Sequence, residues 1–306
     1  MVQPVLKWAG GKRQLRDDLY ARFPEGYETY HEPFFGGGTL FFDMEPQNGT
    51  INDTSPRLVN FYRQIRDNPH ELIDCLRSFD EHESDPDADR EFAETDHKGG
   101  EIENYYYQQR ALFNRRPYGD DFDALEEAAL LLYLNRTCYN GLYRVNNSGG
   151  FNVPIGEYVN PDWVQAERIR EASAVLETTE IFNRDFEYIL DYADERDLVY
   201  FDPPYEPMSS TANFNDYSSA GFGREDQERL LEVAQKLDDS GVYVILSNSG
   251  VMFDKYDDAG FSVEIEGATR VINSDSENRG EIEEIIATNV SPGERQKVGQ
   301  QKLDDF

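Results

Sequence analysis

The chain has little cysteine, little lysine and no long apolar run. Two cysteines in 306 residues, Cys75 and Cys138, are too few for a disulfide framework or a cysteine zinc site. No stretch approaches the roughly 18 consecutive apolar residues of a membrane span, and the start Met1-Val2-Gln3-Pro4 has neither the charged nor the apolar part of a signal peptide. A cytosolic protein with no metal and no membrane partner is expected. Basic charge is scarce as well: 29 lysines and arginines stand against 61 acids, for a formal net charge of −32, and only seven of the bases are lysine. In dilute buffer such a surface repels phosphate. The acids are spread along a chain that is 13% aromatic, which argues against a disordered acidic tail and for adaptation to molar salt. There the Debye length falls to about 3 Å, and the repulsion is screened. Nucleic-acid binding under such salt leans on stacking, base contacts and shape.

Against that acidity, two windows without Asp or Glu stand out. Residues 1–16 carry Lys7, Lys12, Arg13 and Arg16; residues 128–156 carry Arg136 and Arg144. Burial in a helix accounts for Ala128 to Leu134. It does not account for Asn135 to Gly156, which is polar, rich in Asn, Gly, Tyr and Arg, and predicted to face a polyanion.

The hydrophobic pattern reads as α/β. Strands are predicted at Glu28–Glu32, Thr50–Asn52, Ile181–Asn183, Leu198–Phe201, Val242–Ser247, Ser262–Ile265 and Glu283–Thr288, and helices at Gln14–Arg22, Leu40–Met44, Asp162–Glu177, Glu187–Ala193 and Arg224–Asp238. Residues 57–160 read as a mostly helical insertion between catalytic segments 1–56 and 161–290. Within it, residues 80–103 hold eleven acids and read as a solvated loop. Residues 291–306 form a polar tail.

Three short motifs carry the chemistry. Asp202-Pro203-Pro204-Tyr205 follows the apolar run Leu198 to Phe201, where an α/β sheet presents its ligand loops. An acid, two residues without backbone donors and an aromatic ring suit an amino group on a flat base, adenine or cytosine. Glu32-Pro33-Phe34-Phe35-Gly36-Gly37-Gly38 sets small residues between a strand and a helix, with neither the dinucleotide fingerprint nor a Walker pattern. Asp53 ends the next strand, a common position for an acid that binds ribose hydroxyls. A glycine turn with a ribose acid implies an adenosine-bearing ligand. The third motif is Lys7-Trp8-Ala9-Gly10-Gly11-Lys12.

With these three motifs in order, together with Tyr133-Leu134-Asn135-Arg136, Tyr139-Asn140-Gly141-Leu142, Arg144, Phe151-Asn152-Val153-Pro154 and Thr211-Ala212-Asn213-Phe214, the chain resembles the Dam-type DNA adenine methyltransferases over most of residues 5–290. Thr137-Cys138 departs from the family pattern, and the acidic segment is longer. The resemblance implies a Rossmann-like methyltransferase sheet with an inserted target-recognition domain, S-adenosylmethionine as cofactor and a monomer acting on double-stranded DNA. It implies that Trp8, Ala9, Gly10 and Lys12 close the cofactor site and that Glu32, Pro33, Phe34, Gly36 and Gly38 cradle the methionine end. Asp53 then holds the ribose, Asp185 and Phe186 flank the adenine, and Asp202 borders both cofactor and target.

For catalysis, Asp202 and the Pro203 carbonyl can each accept one amino hydrogen of adenine, which favours a pyramidal nitrogen with its lone pair aimed at the methyl donor. Tyr205 stacks on the flipped base, with Pro204 completing the loop. Ring-carbon methylation of cytosine needs a nucleophile such as cysteine, and neither cysteine lies in the motif. Lys7, Arg136, Tyr139, Asn140, Leu142, Arg144 and Pro154 are expected at the DNA, Arg144 on a guanine edge and Leu142 and Pro154 on a thymine methyl. Because these match the Dam-type recognition positions, GATC is the expected site. Methylation of RNA or of a protein amide is the alternative on the same fold, and a catalytically silent DNA-binding module a third reading.

Overall fold

The computed structural model describes residues 1–8, 10, 12, 15–79, 101–115, 123–146, 148–205, 222–266 and 284–296. Ala9, the acidic segment through residue 100, Thr211 to Phe214 and the tail beyond Gln296 lie outside the described residues.

Seven short strands form one sheet: β1 (Tyr30–Glu32), β2 (Gly49–Asn52), β3 (Thr179–Phe182), β4 (Leu198–Phe201), β5 (Tyr243–Asn248), β6 (Ser262–Glu266) and β7 (Glu284–Thr288), in the order β3-β2-β1-β4-β5-β7-β6. The β1–β2, β1–β4 and β4–β5 pairs are parallel. β7 runs antiparallel between β5 and β6. Parallel strands buried on both faces read as unbroken apolar runs, and all four residues of β4 are buried. The helices are α1 (Arg16–Tyr20), α2 (Thr39–Met44), α3 (Pro56–Asp67), α4 (Pro69–Ser78), α5 (Glu101–Arg115), α6 (Ala124–Thr137), α7 (Ala166–Leu176), α8 (Arg224–Asp239) and α9 (Phe253–Asp258).

The chain divides into two compact units. One comprises residues 12–35, 46–54 and 182–306. In it α8 buries Leu230, Val233, Ala234 and Leu237, at helical spacing, in a core with Val199, Phe201, Val244, Leu246, Ile285 and Ala287 from the strands. The helix starts where Asp226 Oδ2 accepts the Gly223 N–H at 2.9 Å.

The other unit comprises residues 1–11, 36–45 and 55–181. Its centre is α6, capped by Asp123, whose side chain accepts the Glu126 N–H at 2.9 Å, and buried from Glu127 through Thr137. That burial is why acids are missing from Ala128 to Thr137. Glu127 is kept inside by Arg57 at 3.1 Å, whose guanidinium also lies 3.9 Å from the centre of the Phe113 ring. α7 belongs with these helices: Ser173 Oγ donates to the Arg66 carbonyl, and Arg66 Nη1 donates to the Thr179 carbonyl at 2.9 Å. The compact unit therefore extends past residue 160 to Ile181 and takes in the first eleven residues and α2.

Several element boundaries differ from expectation for local reasons. α1 is confined to Arg16–Tyr20. α7 starts at Ala166 rather than Asp162, because Asp162 instead accepts the Gln165 N–H and amide while Gln165 takes a left-handed φ of 48°. The Glu187 to Ala193 segment is a 3-10 turn over Phe186–Asp191. Glu101 to Glu103, expected in the acidic loop, already belong to α5.

Candidate active site

In the sheet, β1 lies between β2 and β4: the chain steps from β1 to β2 and β3 on one side and then crosses to β4 on the other. The carboxyl ends of β1 and β4 flank the switch point where open α/β sheets bind ligands. Asp202 leaves β4 at that point. Its side chain is 23% exposed and meets Lys12 Nζ at 2.9 Å; the same ammonium lies 3.6 Å from Glu284 Oε1, at the start of β7. Tyr205 donates its hydroxyl to Glu284 and has the Lys12 ammonium 4.7 Å from its ring centre. Burial pushes the Asp202 carboxyl above the ordinary carboxylate range; Lys12 opposes the shift and Glu284 reinforces it. Burial, with the neighbouring acids, also holds the Tyr205 phenol well above its usual value, so it stays a neutral donor.

The loop after Asp202 is pinned by amides. Pro204 cannot extend the ladder, and its carbonyl accepts Gln227 Nε2 from α8 at 2.8 Å. Gln227 in turn accepts Asn248 Nδ2 at 3.0 Å, and Asn248 donates to the Tyr256 hydroxyl at 2.9 Å. Beneath the loop, Tyr200 and Ser247 share a hydroxyl hydrogen bond of 2.9 Å.

At the ends of β1 and β2, Asn52 braces the turn. Its amide donates to the carbonyls of Pro33 (2.9 Å) and Arg184 (3.1 Å), its side-chain oxygen accepts the Arg184 N–H at 2.8 Å, and its carbonyl accepts the Phe35 N–H. Asp53 follows, half-buried, its own carbonyl held by Asn183. Glu32 is buried and accepts the Tyr30 hydroxyl at 2.6 Å. Phe34 stacks on Phe186 with ring centres 5.4 Å apart and meets Phe222 edge-on at the same distance. Asp185 is exposed; it caps the turn at Phe186 and pairs with Arg229 at 2.8 Å. The structure thus joins Lys12, Asp202 and Tyr205, and separately Phe34 with Phe186.

In the helical unit, Trp8 stacks on Tyr143 at 5.3 Å and lies on Gly36 and Gly37. A Cβ on Gly37 would come within 2.6 Å of the Trp8 Cβ, and Gly36 and Gly38 have φ of 50° and 65°, conformations that favour glycine. Gly10, at φ 82°, has open space around it.

In the same unit Asn135 clamps Lys7: the Lys7 N–H donates to Asn135 Oδ1 at 2.8 Å, and Asn135 Nδ2 donates to the carbonyls of Lys7 (2.7 Å) and Gly141 (3.0 Å). The Lys7 stem passes over Gly141, and its ammonium reaches the Tyr158 hydroxyl at 3.3 Å. Arg144 Nε donates to Asn152 Oδ1 at 2.7 Å. Tyr139, Asn140, Leu142 and Pro154 are exposed, Tyr139 at 52% and Leu142 at 38%. Arg136 corrects the expectation of a DNA contact. Its side chain is buried and donates to the Val5 carbonyl, and burial lowers its pKa to about 10, so this cation ties the N-terminal segment to α6 instead.

The chain matches the family of D12 class N6 adenine-specific DNA methyltransferases over residues 8–284. It belongs to that family. Among similar proteins, the type II methyltransferase M1.LlaDCHI of Lactococcus lactis subsp. cremoris is 40% identical over 292 residues, 94% of this chain and 95% of the relative. The type II methyltransferase M.MjaIII of Methanocaldococcus jannaschii is 35% identical over 304 residues, 94% and 99% of the two chains. The DNA adenine methylase of Escherichia coli (strain K12) is 32% identical over 282 residues, 92% and 93%.

This D12 methyltransferase is therefore an adenine-specific DNA-modifying enzyme, and its class uses S-adenosylmethionine as methyl donor. The donor set of the sheet unit fits that group. A carboxylate that already carries a cation partner, a second carboxylate after β2 and an aromatic cluster suit a ligand with positive charge, a ribose diol and a flat base. Among the described residues no group of three His, Cys, Asp or Glu could hold a metal, and no helix is long and apolar enough to cross a membrane.

Sequence reasoning missed Glu284, Gln227, Tyr143, Tyr158 and the partnering role of Asn152. Glu284 is one of three acids in Glu281-Ile282-Glu283-Glu284, and nothing local distinguishes the one that meets Tyr205.

Proposed function

We propose that this enzyme methylates the exocyclic amino group of adenine within GATC in duplex DNA, by flipping the base and transferring the methyl directly. The observation that carries this reading is the partly buried Asp202 carboxylate at the end of β4, followed by Pro203, Pro204 and Tyr205. When bound, S-adenosylmethionine supplies an electrophilic methyl group. Asp202 and the Pro203 carbonyl accept the two amino hydrogens, Tyr205 stacks on the base, and no covalent enzyme intermediate is needed. Lys12 already occupies Asp202 with an amino group, which supports that carboxylate as an acceptor for such donors. Asp53 holds the ribose; Glu32, Pro33 and Phe34 line the methionine end, and Asp185 and Phe186 the adenine. The parts expected of Trp8, Ala9, Gly10, Gly36 and Gly38 toward the donor belong to the same proposal.

Residues 57–160 serve as the target-recognition domain, with 1–56 and 161–290 catalytic. Arg144 reads a guanine edge, Lys7 adds a base contact, and Tyr139, Asn140, Leu142 and Pro154 face the duplex. The exposure of Tyr139 and Leu142 supports this. The acid excess reflects a working environment of molar salt, in which the enzyme acts as a monomer. Urea midpoints should rise with KCl; full stability in dilute buffer would remove the salt assignment.

The deciding experiment is methyl transfer from labelled S-adenosylmethionine to duplexes with and without GATC, in molar KCl, with Asp202→Ala as control. Label in the GATC adenine alone, abolished by the substitution, supports site and loop together. Label on every duplex removes the GATC assignment and leaves the reaction.

A further inference from the structure

The Lys12–Asp202 contact raises a question that the reaction must answer. An amino substrate that takes over Asp202 displaces an ammonium whose side chain is only 11% exposed. A cation this enclosed needs another carboxylate, since the surroundings offer it little water. Glu284 is that carboxylate. It already lies 3.6 Å from Lys12 Nζ, and it also accepts the Tyr205 hydroxyl.

We propose that Glu284 is a positioning residue of the catalytic loop: it anchors the Tyr205 ring through the hydroxyl and receives the Lys12 ammonium when an adenine amino group claims Asp202. The inference rests on the reading of Asp202 as the amino acceptor. Three features place Glu284 for the role. It opens β7, whose register against β5 (Leu246 with Ala287, Asn248 with Ile285) brings the strand start to the β5 end beside the Pro204 loop. Its side chain is 26% exposed, so a polar partner is held rather than solvated. Its two contacts, to Tyr205 and Lys12, both involve groups that touch or border Asp202.

Among the described residues, the groups that face Asp202 are Lys12, Glu284 and the phenols of Tyr200 and Tyr205. Lys12 lowers the Asp202 pKa and Glu284 raises it, so the two substitutions have opposite signs. In Lys12→Met the acid limb of kcat/KM against pH, which reports the free enzyme, moves to higher pH. In Glu284→Gln, which keeps the volume and an acceptor for Tyr205 but removes the charge, it moves to lower pH. Loss of such a supporting contact lowers kcat by about 10- to 100-fold.

The test measures kcat, KM and the acid limb for wild type, Glu284→Gln, Glu284→Asp and Asp202→Asn, with cofactor binding by calorimetry as the folding control. The expected result is a lowered kcat and downward limb shift in Glu284→Gln, partly restored in Glu284→Asp. A Glu284→Gln enzyme with wild-type kcat and an unmoved limb overturns the proposal. Should Glu284→Gln bind no cofactor, Glu284→Asp decides: wild-type kcat and limb there mean a purely structural carboxylate, while a lowered kcat with folded protein supports the role. If Asp202→Asn keeps wild-type turnover, the reading of Asp202 has failed; if it is inactive while Glu284→Gln is normal, only the present inference has.

Discussion

The two lysines near the N-terminus, Lys7 and Lys12, stand five residues apart and are treated oppositely by the fold. Lys12, in the sheet unit, is set among carboxylates, 2.9 Å from Asp202 and 3.6 Å from Glu284. Lys7, in the helical unit, is set among neutral groups: the Asn135 amide clamps its backbone, and the Tyr158 phenol meets its ammonium at 3.3 Å. Arg144 Nε likewise donates to the Asn152 amide oxygen, at 2.7 Å. The difference is chemical. A carboxylate matches a cation with opposite charge, and such a cluster is suited to accept amino donors. Amides and phenols orient a cation without opposing its charge with one of their own.

The comparison breaks most sharply at Asp202. Asp202→Asn should lower kcat for methyl transfer by about 10²- to 10³-fold, since it replaces the carboxylate proposed to accept the amino hydrogens; turnover within error of wild type would remove the carboxylate from the reaction. On the other side, Gly141→Ala puts a Cβ 2.5 Å from Lys7 Cδ at a φ of 67°. It should cost about 1–3 kcal/mol in urea unfolding at fixed salt. Gly260→Ala, at φ 95° with nothing within 4 Å, carries only the backbone share and should cost less; equal losses would show that the Lys7 contact contributes nothing.

Arg144→Ala sharpens the contrast at the level of specificity. It should weaken discrimination at the guanine that Arg144 is proposed to read by about 1–3 kcal/mol, read as kcat/KM on duplexes with single substitutions in the proposed GATC site, whereas a uniform loss on all duplexes would assign Arg144 to the backbone. The smallest effect lies away from both clusters. His31 is buried between Thr50 Oγ1 (2.9 Å) and Asp197 Oδ2 (3.2 Å), and burial lowers its pKa despite the acid. A base whose folded pKa is depressed is protonated first in the unfolded chain, so stability falls as pH drops below about 6.5 toward the folded value. Urea midpoints at successive pH values should fall over that window, and His31→Gln should flatten the slope; an unchanged slope would show that His31 does not couple to folding.

Much of the sheet was legible because its physics is local. Leu198–Phe201 was bounded correctly, since a four-residue apolar run before Asp-Pro-Pro has no other role in an α/β sheet. Elements whose ends depend on a single side chain were not: Asp162 capturing Gln165 delays α7, and Asp185 capping Phe186 makes a 3-10 turn of a predicted helix. Among site residues, the Asp202 loop was readable from its own tetrapeptide, while Glu284, 79 residues from Tyr205, was not. Arg136 shows the converse. In sequence it is one more base in an acid-free window; in the fold it lies on the buried helix α6 and bonds the Val5 carbonyl.

Fold class and family were legible in the chain alone, because they depend on short apolar runs and on residue types that act within a few positions of one another. Tertiary structure alone decided which acids border the Asp202 loop, which arginine turns inward and which groups hold Lys7. Those outcomes depend on burial and on partners brought together across strands and helices, and no local pattern encodes the distance between them.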